Sequence, residues 1–192
     1  MNIRTLLLGL MGVISSAAPA HAELVVEHPS VVPMFEKACL EGELTTVARE
    51  AAIALDAGWV KEPRVEIDVQ ALGISKAIER NFDYSKPVSA MQWTRKVDGK
   101  LLRLVLATFP NKRRYPAICA ITVPGVKAGW PYNDAFGTAV KAIGLKGKST
   151  DLPHYFEYSG KIGIEKHPVR AEIFGRSQAA PEEDTLHLYV AF

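Results

Sequence analysis

Two cysteines, Cys39 and Cys119, are all that the 192-residue chain contains. That is too few for a zinc ribbon or for a dense disulfide scaffold. An excess of charge is missing as well: 23 Lys and Arg stand against 21 Asp and Glu, a formal net charge of +2. This balance leaves no electrostatic footprint for nucleic acid, so none is expected as a partner. Long hydrophobic runs are absent. The apolar run in residues 6–14 is well short of the roughly 20 residues a membrane span needs, and no later segment does better. The mature chain is therefore expected to have no transmembrane segment. Metal-site patterns are lacking too. His28, His154, His167 and His187 show no i, i+4 pair, and no H-E-x-x-H occurs, so neither a metal nor a cofactor is expected. The segment Gly144-Leu145-Lys146-Gly147-Lys148-Ser149-Thr150 is no phosphate loop. Its first required glycine is Ala142, and it follows a helical pattern where the motif must follow a strand. No G-x-S-x-G elbow is present, and Gly73-Ile74-Ser75 has the wrong context for one.

The residues present describe an ordinary globular chain. Hydrophobic residues make up 48% and charged residues 23%, which excludes collagen-like, low-complexity and wholly disordered readings. Residues 1–22 have the pattern of a secretory signal peptide: Arg4 in a short leading region, the apolar run, then small residues ending in Ala20-His21-Ala22. Cleavage there would start the mature protein at Glu23, leaving 23–192 as one globular domain. Glu23 is not Cys, so lipidation of a new N-terminal cysteine is not indicated.

The hydrophobic period assigns the elements. Ser30 is a candidate helix cap, and Phe35, Ala38 and Cys39 share one helical face until Gly42 breaks it. Leu44, Val47, Ala48, Ala51, Ala52 and Leu55 repeat at helical spacing, with Arg49, Glu50 and Asp56 toward solvent. Gly58 fits the left-handed position after that helix, with Trp59 folding back on it. Together these predict an N-terminal helical hairpin. Residues 60–68 read as loop, and 69–80 as a further, weaker helical pattern interrupted by Gly73.

From Ser89 the period falls to two. Asp98-Gly99 is a type I′ hairpin signal between an alternating strand and a return strand over 101–109. Residues 117–123 are apolar throughout and read as a buried central strand. Phe136, Ala139, Val140 and Ile143 mark one further helix. Strands are expected over 154–159 leading into 161–165, then 169–174 and 185–192, with His187 facing solvent. The fold class expected is α+β, with helices packed on a mostly antiparallel sheet of five to six strands. The C-terminal alternation Leu186, Leu188, Val190, Phe192 also occurs in outer-membrane barrel strands. The helical 34–57 region argues instead for a strand completing a soluble sheet.

Cys39 on an apolar helix face and Cys119 in the most apolar strand are expected to form a disulfide, given export to an oxidising compartment. Lys112-Arg113-Arg114 with Tyr115 makes a basic tip between two strands. The aromatic residues Trp93, Tyr155 and Tyr158 are the candidate ligand surface. Phe35, Cys39-Leu40, Gly58-Trp59, Trp93 and Cys119 form an arrangement, over about Phe35 to Ile121, that resembles a group of small exported proteins of Gram-negative bacteria described as uncharacterised. The resemblance implies export and a Cys–Cys staple, and carries no activity.

The function expected is a non-enzymatic periplasmic or secreted protein, a binding module or envelope accessory factor for an envelope ligand or protein. The alternative is an envelope hydrolase with dispersed catalytic residues such as His154 and Glu157.

Overall fold

The computed structural model describes residues 28–63, 89–109, 114–126, 130–148, 155–176 and 185–192. The expected signal peptide, the helical pattern at 69–80, and Lys112, Arg113 and His154 lie outside the described residues.

Alternation at period two produces the sheet. β1 (Val60–Lys61) pairs with β2 (Ser89–Val97), which turns through Asp98-Gly99 into β3 (Lys100–Thr108). Asp98 and Gly99 have φ of 47° and 77°, the two positive values a type I′ turn requires. β4 (Ala117–Pro124) is buried along all but its last residue. β5 (Lys146–Lys148), β6 (Tyr155–Ile162), β7 (His167–Arg176) and β8 (Thr185–Ala191) follow. The sheet order is β1-β2-β3-β4-β8-β7-β6-β5, with every pairing antiparallel. The protein is thus α+β. β4 lies in the sheet interior, as its unbroken apolar run requires.

The sheet has eight strands where five to six were expected. The additions include the edge strands β1 and β5, only two and three residues long, which are too short to show a period. β6 ends at Ile162. Residues 163–166, expected to continue a strand, form a turn in which the Lys166 N–H donates to the Gly163 carbonyl at 3.2 Å. His187 is buried rather than solvent-facing, stacked on Phe174 with ring centroids 4.8 Å apart. The cause is that the sheet carries an apolar layer on each face. Leu186, Leu188 and Val190 face the helices, and Tyr189 and Ala191 belong to a second buried cluster with Val105, Phe109 and Ile118.

The helices are α1 (Val31–Phe35), which widens into a single π-helical turn over Glu36–Leu40, α2 (Thr46–Leu55) and α3 (Asn133–Ala142). The expected N-terminal hairpin of apolar-faced helices does not form. Arg49, expected at the surface, is 2% exposed, while Val47 and Leu55 of the presumed inner stripe are 78% and 87% exposed. Hydrogen bonding turns the helix over. The Arg49 guanidinium donates to the carbonyls of Ala38 (3.4 Å) and Glu41 at the end of the first helical segment and of Glu43 (3.1 Å) in the connection after it. Burial holds the Arg49 pKa below its ordinary value, with Glu41 acting in the opposite direction.

Gly58 is also placed differently from expectation, for it has no positive φ. The helix end is closed instead by Asp56, whose Oδ1 accepts from the Gly58 N–H at 3.1 Å. Gly58 allows a close approach of Arg95: a Cβ there would overlap the guanidinium, the movable end of that side chain. Arg95 in turn pairs with Asp56 at 3.0 Å and lies over the buried Trp59 ring, 5.9 Å from its centroid. Burial alone would raise the Asp56 pKa; the Gly58 N–H, Arg95 and Lys37 outweigh it and hold the carboxyl below its usual value.

The helices meet the sheet over one apolar layer. Phe35 packs on Phe136 of α3, and Phe136 on Tyr158 of β6, with centroids 5.5 and 5.7 Å apart. Within this layer Cys39 and Cys119 are fully buried and joined, with Cα atoms 5.6 Å apart. The bond ties the first helical segment to the central strand.

Candidate functional site: a cleft at one end of the sheet

Antiparallel register gathers distant segments at one end of the sheet. Thr108 lies opposite Ala117, and Ala117 and Phe192 exchange two backbone hydrogen bonds of 2.9 and 3.0 Å. β7 starts beside the end of β8, with Arg170 opposite Ala191. The β3–β4 and β6–β7 connections therefore leave the sheet side by side. Between them and the connection from the π-helical turn to α2 lies a cleft of about 780 Å³, within the range small-molecule sites occupy.

Each wall follows from local sequence. Gly42, at φ +80°, turns the chain away from the first helical segment, and Arg49 pins the next residues through the Glu43 carbonyl. Leu44, Thr45 and Thr46 form this wall. The Thr45 hydroxyl is occupied in capping α2, accepting from the Ala48 N–H at 3.2 Å. Thr108, Phe109, Pro116 and Ala117 form the second wall, and Ile162, Gly163, Pro168 and Val169 the third. Phe192 closes the base.

Among the described residues the lining is mainly apolar, with three ionisable side chains, Glu43, Arg114 and His167. Arg114 lies over the Tyr115 ring, 5.5 Å from its centroid. His167 Nε2 is 2.8 Å from Glu165 Oε2, and both side chains are largely exposed. Arg114 is exposed and has no carboxylate partner among the described residues.

The aromatic residues expected to share a ligand surface are not gathered on one. Trp93 and Tyr158 are buried in the layer under the helices, and the Tyr158 hydroxyl donates to Asn133 Oδ1 at 2.9 Å. Tyr155 is on the opposite face of β6, and four strands separate β2 from β6. Tyr155 belongs to a charged cluster there. Arg170 donates to Glu172 (2.5 Å), to Glu157 (3.0 Å) and to the Tyr155 hydroxyl (3.1 Å), and Glu172 is 0% exposed. Burial raises the Tyr155 pKa, and Glu172 raises it further. Burial would lower the Arg170 pKa, but the Glu172 carboxylate more than offsets this and holds it above its ordinary value. Glu157, named with His154 for the alternative hydrolase, is paired with Arg170.

No family model, no curated protein and no solved structure matches this chain. The cleft must be interpreted from its own chemistry.

Sequence reading missed the cleft because its walls come from four segments between Gly42 and Phe192. Two signals did point to it. One is the basic tip that ends in Arg114, and the other is His167-Pro168, whose proline favours an extended approach to the strand.

Proposed function

We propose that the chain is an exported, non-enzymatic binding protein, periplasmic or secreted, and that its ligand occupies the cleft at the end of the sheet. The cleft itself carries this reading: about 780 Å³, walled by apolar side chains from both halves of the sheet, with few polar groups at the mouth. The signal-like residues 1–22 and the Cys39–Cys119 disulfide support export, since disulfides persist in oxidising compartments. An accessory role in the cell envelope is compatible with the same site.

One observation favours the alternative, an envelope hydrolase: His167 lines the cleft with Glu165 in hydrogen-bond reach. Against it, both side chains are largely exposed, Glu165 on the β6–β7 turn and His167 at the start of β7, and among the described residues the hydroxyls lining the cleft are those of Thr45, Thr46 and Thr108. The binding reading predicts that p-nitrophenyl esters are turned over no faster by the protein than by its His167→Ala variant.

The main test is what the protein carries. Exported protein is purified, denatured and extracted, and the extract is analysed by mass spectrometry. A small molecule should be recovered from the wild type and lost from Thr108→Trp and from Thr46→Trp, which fill the cleft from two walls. Equal recovery from folded Trp variants would refute the reading.

A further inference from the structure

We infer that the ligand class is a single-chain amphiphile with one anionic head, a long-chain carboxylate or its like. This rests on the cleft being the ligand site. The apolar walls match a hydrocarbon chain: Leu44 on one side, Phe109 and Pro116 on the second, Ile162 and Val169 on the third. Such a chain is driven in by loss of apolar surface from water and asks for no polar partners inside.

The head is selected by charge at the mouth. Arg114 is the permanent cation of the lining among the described residues, and its guanidinium lies over the Tyr115 ring. A planar guanidinium presents a fork of donors that matches a carboxylate or phosphate in two parallel hydrogen bonds. The competing anion, Glu43, is exposed on the helical wall. It makes no ion pair among the described residues, and its carbonyl is the atom held by Arg49. Glu165, hydrogen-bonded to His167 at 2.8 Å, is largely exposed and is not among the residues that line the cleft. The bound chain therefore lies along the cleft with its head at the β3–β4 side.

The experiment is a calorimetric titration, below micellar concentration, with tetradecanoate, its methyl ester and tetradecylammonium. Tetradecanoate should bind most tightly. Dodecanoate should bind roughly tenfold more weakly, from two fewer buried methylenes. Arg114→Gln should weaken tetradecanoate about tenfold or more while leaving the methyl ester within about twofold. Glu43→Gln should tighten tetradecanoate. Tetradecylammonium binding as tightly as tetradecanoate would overturn the inference but leave the cleft reading intact, as would an equal loss of acid and ester in Arg114→Gln. Failure of all three probes to bind would overturn the inference, while the cleft reading is decided by recovery from the Trp variants.

Discussion

Arg49 is a long cation placed where helical spacing asks for solvent, and its position sets how α2 sits on the protein. Three backbone carbonyls accept hydrogen bonds from its guanidinium, so the side chain replaces the capping that a break after Leu40 would otherwise leave to water. Truncation removes all three bonds and leaves the buried Ala38 carbonyl without its partner, which is costlier than losing the bonds alone. Arg49→Met should lower stability by about 3 kcal/mol in denaturant unfolding. Leu55→Ser, which changes a residue of the apparent apolar stripe, should stay within about 0.5 kcal/mol because Leu55 is exposed. If the costs come out reversed, the helix is docked by its apolar stripe after all. The same reasoning explains Arg170, which joins a fully buried glutamate to a second carboxylate and fixes β6 against β7.

Among the elements, the end of α2 shows how one glycine serves a neighbouring side chain. Arg95 occupies the space a Cβ at Gly58 would take, and there it reaches both Asp56 and Trp59. Gly58→Ala should therefore act by displacing Arg95. Its cost, about 1 kcal/mol or less, should vanish when Arg95 is already Ala, because contacts shared by two residues do not add. Additive costs for the pair would mean that backbone conformation decides at Gly58. The β2–β3 hairpin and the buried β4 were legible because alternation, Asp98-Gly99 and an unbroken apolar run each have one structural solution. The orientation of α2 was not. Its apolar stripe is regular, and only the carbonyls of Ala38, Glu41 and Glu43, set by the fold of another segment, make burial of Arg49 favourable. The edge strands escaped detection because two or three residues carry no period. The cleft was legible only in fragments. Arg114 and His167-Pro168 are visible in the sequence, but their meeting with Leu44 depends on strand register.

At the scale of the whole molecule, the Cys39–Cys119 bond closes a sequence separation of 80 residues and joins the helical segment that leads into one wall of the cleft to β4, whose Ala117 lines the second wall. On the chain-entropy account, a loop of that length stabilises by about 4 kcal/mol. Replacing both cysteines with alanine should cost roughly 2–5 kcal/mol. Reduction should also weaken ligand binding, because Gly42 to Thr46 follow directly from Cys39 and lose their tether to β4. An unchanged unfolding midpoint after removal of the bond would show that packing alone holds the two halves together. The central claim is that a ligand is held at this one end of the sheet. Amide chemical-shift mapping of the isotopically labelled protein during titration with tetradecanoate tests it most directly. The account predicts that Gly42, Leu44, Thr108, Ala117, Gly163 and Val169 move together and saturably, while Asp98, Gly99 and Gly125 at the far end stay fixed. Shifts centred on Trp93, Tyr155 or the Asp98-Gly99 turn, with the cleft amides unmoved, would contradict it.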